Sequence, residues 1–326
     1  MKVAFALLLL GVTAATAADR PFHVASTVHG PDGSYDYVSV DPALGRVFIG
    51  REFGVETYDQ QTHRFHSLLA RKGVAAVLPI GARLMLSTNG DQNSATLFDR
   101  RTGRVVADIR TGEEPDGAWY DPASRLAFVM NGGSEDVTVI DVTRARAVAT
   151  IPAGGEPEGA VGDGAGRLYV NLKDKAAIAV IDIAARKVVG RLALPGCSEP
   201  TGIAYDGATG LLISACHNRV AKLVAARSGT DRGTIAIGSG ADGALFDPDR
   251  RLGFVPCIDG TLTIFRLDRD GRATVLQTVK TRVGARTATY DKIHDRLYLP
   301  AAIVERDSAG NYVGAKRNFV MLTVAR

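Results

Sequence analysis

Short apolar runs separated by turn residues dominate the chain. In the stretch that begins at Glu114, the runs GAWYD, RLAFVMN, DVTVIDV and AVATIPAG follow one another, with Asp-Pro, Gly or Asp-rich turns between them. The third run alternates along its length, whereas the second is apolar almost throughout, which is typical of a strand packed on both faces. The pattern therefore predicts four short antiparallel strands in about 40 residues.

This four-strand unit recurs along the chain. The Asp that closes the first strand recurs at regular spacing, at Asp41, Asp121, Asp163, Asp206, Asp247 and Asp291. The interval from Asp41 to Asp121 is twice the usual length, and it contains a divergent repeat in which Pro79 replaces the Asp. Seven repeats of about 42 residues result, and four strands at that spacing are typical of a β-propeller blade. We therefore predict an all-β, seven-bladed propeller of four-stranded antiparallel blades.

The two ends of the chain complement each other. After the last RLYLPAA run only one more strand, NFVMLTVA, follows, and it matches the third strand of a blade. The missing fourth strand is FHVASTVHG, which starts at Phe22. We expect this N-terminal strand to complete the last blade, which would remove the exposed sheet edges of an open ring.

Composition and the first residues indicate an exported protein. Residues 1–17 combine a Lys, an apolar run and an Ala-Thr-Ala cleavage pattern, so we predict a secretory signal peptide followed by one propeller domain over residues 18–326. The expected location is periplasmic or secreted. No later apolar run reaches membrane length, and we expect a monomer. The formal charge of +4 is dispersed and only 6% of residues are aromatic, which disfavours a nucleic-acid partner.

The framework strands resemble a known family. The G-x-x-P-x-G turns, the R-L-Y-V strands and the V-x-V-I-D strands, as in VTVIDVT and IAVIDIA, resemble the exported YncE-like, YVTN-type seven-bladed propellers over nearly the whole mature chain. The resemblance implies a binding or scaffold protein more than an enzyme, and it supplies no catalytic motif.

One mouth of the channel is the candidate site. The innermost strands begin directly after the recurring turns, so the residues at those turns should point towards the axis. They are Asp36, Val74, Asp116, Glu158, Thr201, Asp242 and Arg286. The second strands return to the same face, and their last residues should stand around that ring. We expect Arg51, Asn131 and Asn171 there, together with His217.

Two interpretations of this ring remain open. As a binding site, it would hold a cation or a small ligand bearing amines or hydroxyls, because clustered carboxylates need a counter-charge and Arg286 supplies only one. Asp116, Glu158 and Asp242 are the candidate ligands for a divalent cation such as Ca²⁺. As a structural device, the acids would cap strand ends and line a water-filled channel.

Three function classes follow from these observations. The leading hypothesis is a non-enzymatic propeller that binds a small ligand or a protein partner at this mouth. The alternatives are a lyase or lactonase-type enzyme with His217 as acid or base and a metal at the carboxylates, and a scaffold for an envelope complex. In the last case the long link from Ile303 to Asn318 would dock the partner. That link should lie over the channel as a lid, a docking loop or a tolerated insertion.

The cysteines cluster near the same face. Cys197 and Cys216 fall in one blade, and in an oxidising compartment we expect them to form a disulfide. Cys257 occupies the place in the next blade that Cys216 occupies in its own, so it is either a buried thiol or the true partner of Cys216.

Overall fold

Seven four-stranded antiparallel sheets make up the computed structural model, which describes residues 20–306, 308 and 312–326. The first strand, β1 (His23–His29), belongs to the last blade. Blade 1 contains β2 (Tyr35–Asp41), β3 (Arg46–Arg51), β4 (Gly54–Asp59) and β5 (Phe65–Ala70). Blade 2 contains β6 (Val74–Ile80), β7 (Leu84–Asn89), β8 (Ser94–Asp99) and β9 (Val105–Arg110). Blade 3 contains β10 (Pro115–Asp121), β11 (Leu126–Asn131), β12 (Asp136–Asp141) and β13 (Arg146–Pro152).

The remaining blades repeat this order. Blade 4 contains β14 (Pro157–Gly162), β15 (Arg167–Leu172), β16 (Ala177–Asp182) and β17 (Lys187–Ala193). Blade 5 contains β18 (Pro200–Asp206), β19 (Leu211–Cys216), β20 (Val220–Ala225) and β21 (Asp231–Ala236). Blade 6 contains β22 (Leu245–Asp247), β23 (Leu252–Cys257), β24 (Thr261–Leu267) and β25 (Ala273–Lys280). Blade 7 contains β26 (Thr289–Asp291), β27 (Arg296–Arg306), β28 (Tyr312–Ala325) and β1. Short 3₁₀ helices cover Gly90–Gln92 and Lys173–Lys175. The predicted seven-bladed architecture is confirmed.

The ring closes through the N-terminal strand, as predicted. β1 pairs with β28 from His23 opposite Ala325 to His29 opposite Val320. The side chain of Gln277 in blade 6 also binds both backbone groups of Phe22, accepting its N–H at 2.9 Å and donating to its carbonyl at 2.7 Å. The closing strand is therefore held by its own blade and by the neighbouring one.

Burial differs between the strands of a blade. Every residue of β11 is buried, whereas the outer strand β25 is mostly exposed and leaves Val275 and Leu276 more than 40% exposed. Between blades 3 and 4, Phe128 and Val139 pack into one cluster with Leu168 and other residues of the next sheet. The core therefore lies between neighbouring blades, as expected when each sheet buries both faces.

The Asp that recurs at the end of the inner strand in six of the blades has a structural role. Asp41 accepts the backbone N–H of Leu44 at 3.2 Å, and equivalent bonds form at Asp206 and Asp291. In addition, the guanidinium of Arg251 in blade 6 donates to both oxygens of Asp206 in blade 5, at 2.5 and 2.7 Å. These aspartates fix tight turns at the mouth opposite the candidate site and in places link adjacent blades.

The structure joins Cys197, in the turn before β18, to Cys216 at the end of β19. Cys257 is a buried free thiol, and its burial raises its pKa to about 12. Among the described residues, no helix is long and apolar enough to span a membrane.

We expect the double variant Cys197→Ala/Cys216→Ala to lose about 3 kcal/mol of unfolding free energy, because the disulfide closes a loop of intermediate length. Urea denaturation followed by circular dichroism measures this change. Reductant should destabilise the wild type by a similar amount and leave the double variant unaffected. Equal stability of the two oxidised proteins would contradict the prediction.

Candidate functional site

The start of each inner strand defines one mouth of the channel. In blades 1 to 5, the first residue of the inner strand pairs with the last residue of the second strand, as Pro115 does with Asn131. Ala241 makes the same pairing with Cys257 in blade 6. The residues one position further are Asp36, Ala75, Asp116, Glu158, Thr201, Asp242 and Arg286. Val74, expected at this position from the sequence, lies one residue earlier, and Ala75 takes its place.

Arg286 joins two carboxylates of this ring. Its Nη1 lies 2.5 Å from Asp242, and its Nη2 lies 3.4 Å from Asp36. Burial nevertheless raises the pKa of Asp36 to about 6; the charge of Arg286 lowers it, and those of Asp242 and Glu158 add to the rise. One side of the mouth is therefore a partly compensated cluster of acids around a single guanidinium.

Lys173 pairs with two carboxylates on the opposite side of the mouth. Its Nζ lies 2.9 Å from Glu158 and 3.3 Å from Glu156. The lysine belongs to the 3₁₀ helix that follows β15. Sequence reasoning missed it because it lies outside the aligned strands and only its side chain reaches the mouth. The spacing of the recurring turns gave no signal for this contact.

Asp116 is left without a cation. No Lys, Arg or His nitrogen among the described residues lies within 4 Å of its carboxylate, and its buried Oδ1 has no hydrogen-bond partner there. Burial raises the pKa of Asp116 well above 3.8, and the negative charge of Glu158 raises it further. A side-chain hydrogen bond with Glu158 adds to the rise in the pKa of Asp116. A buried acceptor with no donor is costly, so Oδ1 still needs a donor from outside the described residues.

Tyr37 is a second residue that sequence reasoning missed. Its side chain lines the channel just below the acidic ring, at a position that four other blades fill with glycine. Burial raises its pKa well above 10, and Asp116 and Glu158 raise it further. The signal in the sequence was a single aromatic residue at an otherwise small position of the inner strands.

Two small cavities are lined by residues of the inner strands. A mouth pocket of about 220 Å³ lies over blades 2 to 4, and its charged lining residues are Glu114, Asp116, Glu156, Glu158 and Lys173. A separate channel cavity of about 210 Å³ is lined by Tyr37, Asp242 and mostly small or apolar residues of the inner strands. The mouth pocket therefore combines four carboxyl groups with one ammonium group.

Other residues predicted for the site make their contacts away from both cavities. Arg51 is fully buried, forms an ion pair with Glu56, and donates to the carbonyls of Ser34 at 2.9 Å and Pro31 at 2.7 Å. Its guanidinium also lies 3.8 Å from the ring centre of Phe319. The structure thus uses Arg51 to hold the turn before blade 1, away from both cavities.

Asn131, Asn171 and Thr201 are also buried in the blades. Asn131 donates to Asp136 at 2.6 Å, and Asn171 donates to the carbonyl of Thr201 at 2.9 Å. The hydroxyl of Thr201 donates to a backbone carbonyl of the next blade at 2.6 Å. These bonds link strands and blades, so these three side chains are absent from the lining of both cavities.

His217 lies in the turn after β19 and pairs with Glu199, at 2.9 Å between Nδ1 and the carboxylate. It lines neither the mouth pocket nor the channel cavity. In the part of the chain that the structure describes, no group of three or more His, Cys, Asp or Glu residues is arranged to hold a metal ion. The metal candidates Asp116, Glu158 and Asp242 therefore do not form such a group.

The long link of the last blade is a hairpin. β27 and β28 continue into it, with Ile303 opposite Arg317 and Glu305 opposite Gly314. Its base packs on the turn before blade 1, where Gly33 donates to the carbonyl of Lys316 at 2.6 Å. Residues 307 and 309–311 at its tip lie outside the described residues. The expected loop is therefore an extension of the sheet.

The uncompensated Asp116 predicts a pH dependence. Its pKa is higher in the folded than in the unfolded chain, so the folded state holds more protons, and the free energy of unfolding falls as pH rises above about 4. Asp116→Asn removes this effect and should stabilise the protein increasingly from pH 4 to pH 8, measured by urea denaturation. The exposed Asp249→Asn is the matched control; equal pH profiles for Asp116→Asn and wild type would contradict the assignment.

Arg51→Met should destabilise the protein by about 3 kcal/mol or more, because it leaves Glu56 buried without its partner. The double variant Arg51→Met/Glu56→Gln should recover part of that loss. Thermal and urea unfolding measure both. An unchanged stability of Arg51→Met would show that the guanidinium contributes no net stabilisation to the turn before blade 1.

Comparison with known proteins identifies the fold alone. No family model matches the chain, and no curated protein matches it. Among solved structures, a chain of the hydrazine synthase of Kuenenia stuttgartiensis aligns with a TM-score of 0.71 and 16% identity, covering 90% of this chain and 98% of that one. A chain from a crystal structure of the mitotic checkpoint complex aligns with a TM-score of 0.74 and 14% identity, covering 97% and 98%. At these sequence identities, the two structural matches support the propeller fold and do not indicate an activity for this chain.

Proposed function

We propose that this protein is an exported, non-enzymatic propeller that binds a small amine at the mouth pocket. The observation that carries the proposal is Asp116, whose buried Oδ1 accepts no hydrogen bond from the described residues. An ammonium group is a compact donor of three hydrogen bonds and a positive charge. It would supply what Asp116 lacks in the free protein.

The charge of the pocket supports a cationic ligand. Four carboxyl groups line it against the single ammonium of Lys173, which Glu156 and Glu158 already engage. A second positive charge would therefore be attracted, and burial strengthens that attraction because water screens it less. An anionic or neutral ligand would leave the excess of carboxylates uncompensated.

The size of the pocket limits the ligand. At about 220 Å³ it is smaller than the cavities that hold drug-sized molecules, so a short alkylamine or a similar head group fits it best. His217 lies outside both cavities, which favours binding over the acid–base chemistry that the enzyme hypothesis requires.

Two observations support export. The predicted signal peptide over residues 1–17 lies outside the described residues, and its sequence pattern is the first support. The disulfide between Cys197 and Cys216 is the second, because disulfides persist in oxidising compartments such as the periplasm or the extracellular space. A periplasmic or secreted binding protein is consistent with both.

Calorimetric titration with n-butylammonium, with butan-1-ol as the neutral probe, tests the proposal. We expect butylammonium to bind and butanol not to bind. Asp116→Asn should weaken butylammonium binding about tenfold or more, because a hydrogen bond to a charged group contributes about 1.5–3 kcal/mol. Asp249→Asn, on the opposite face, should bind like the wild type.

Proton release provides an independent readout. Because the pKa of Asp116 is raised, its carboxyl group should lose a proton when the ammonium binds, and the affinity should increase with pH. The measured enthalpy should then depend on the ionisation enthalpy of the buffer. Butylammonium binding that is equally tight in Asp116→Asn would place the ligand elsewhere and refute the proposed site.

A further inference from the structure

A third cavity, with a charge opposite to that of the mouth pocket, lies between blades 6 and 7. Four arginines line it: Arg20, Arg250, Arg266 and Arg326. Arg250 precedes β23, Arg266 is close to the end of β24 and Arg326 follows β28, so the cavity opens at the end of the blades opposite the mouth pocket. We call it the arginine groove. Its volume is about 890 Å³, which is enough for a ligand of drug size.

The nearby carboxylates are already paired. Asp295, the only acidic residue among the described ones that line the groove, lies 3.3 Å from Nε of Arg326 and accepts the hydroxyl of Tyr290 at 2.5 Å. Arg250 pairs with Asp247 at 3.0 Å. Among the described residues, Arg20 and Arg266 have no carboxylate within 4 Å. The groove therefore presents two guanidinium groups, those of Arg20 and Arg266, that no described carboxylate neutralises.

The floor of the groove is apolar. Phe22, Leu252 and Ile264 are buried there, and Leu276 adds a side chain that is 47% exposed to solvent. Arg326 stacks on Phe22, with its guanidinium carbon 4.4 Å from the ring centre. A guanidinium rim above apolar side chains matches a molecule with an anionic head and an apolar body.

We propose that the arginine groove binds a small amphiphilic anion, namely a phosphate or carboxylate head group on an apolar chain. The head group lies between Arg20, Arg250 and Arg266, whose planar guanidinium groups match the oxygens of such anions. The apolar chain covers Leu276 and the floor beside it. This site is independent of the mouth pocket, which selects the opposite charge.

The position of the groove couples binding to closure of the ring. One wall is the N-terminal strand, through Phe22 and Arg20, and the other is the outer part of blade 6, through Arg266 and Leu276. Gln277 already connects these walls. A ligand that contacts both walls stabilises the same closure, and a ligand that binds only the native state raises the unfolding temperature.

Titration of the purified protein with octyl phosphate tests the proposal, with inorganic phosphate and octyltrimethylammonium as probes of the head group and of the chain. We expect octyl phosphate to bind at least about tenfold more tightly than either, because only it uses both the rim and the floor. It should also raise the midpoint of thermal unfolding, and added salt should weaken it.

Two variants separate the two contributions. Arg266→Gln should weaken octyl phosphate about tenfold by removing an unpaired guanidinium, and Leu276→Asp should weaken it by a similar factor by placing a carboxylate on the floor. Both side chains are exposed, so we expect both variants to fold. Arg110→Gln, an exposed arginine of blade 2, is the matched control and should bind like the wild type.

Two results would overturn the proposal. One is equal binding of octyl phosphate by Arg266→Gln and Arg110→Gln, because the guanidinium rim would then play no part. The other is equal affinity for octyl phosphate and octyltrimethylammonium, because the groove would then select only the apolar chain. Neither result bears on n-butylammonium binding at the mouth pocket, so the two proposals can fail separately.

Discussion

Each blade of this propeller has two apolar faces, and both must be covered by neighbouring blades. Phe128 of blade 3, for example, is fully buried in a cluster that includes Leu168 and Val170 of blade 4. This constraint applies seven times around the ring, so most of the sequence is committed to packing. This packing constraint is weaker at the ends of the strands, because side chains there face the mouths of the channel. Polar chemistry is therefore concentrated where the strands begin and end.

The fold was predictable from the sequence, and the site only in part. The repeat predicted the number and order of the blades, and the recurring turns predicted that Asp116, Asp242 and Arg286 lie at one mouth. Lys173 and Tyr37 were missed because their contacts depend on side-chain direction, which the spacing of turns does not reveal. Arg51 was assigned to the mouth because it ends a second strand, but its side chain is buried in the blade. Asn171 was assigned there too, but it lies one residue before the end of β15 and its buried side chain bonds to the backbone of blade 5.

Charge is distributed differently at the two ends of the blades. At the mouth pocket, carboxyl groups lie close enough to raise one another's pKa, so the charge of that end changes with pH. At the arginine groove, the positively charged groups are guanidiniums, which stay protonated at any physiological pH. The two cavities would therefore respond differently to acidification, the first losing negative charge and the second keeping its positive charge.

The pairing of β1 with β28 also sets an order of events during biosynthesis. β1 precedes and β28 follows all the other described strands in the chain, so β1 must wait for its partner while the strands between them are made, because His23 lies opposite Ala325. Until then β28 has no neighbour on its outer side, and such edges are prone to pair with other chains. Completion of the ring therefore requires both β1 and β28, since loss of either strand leaves the last sheet open.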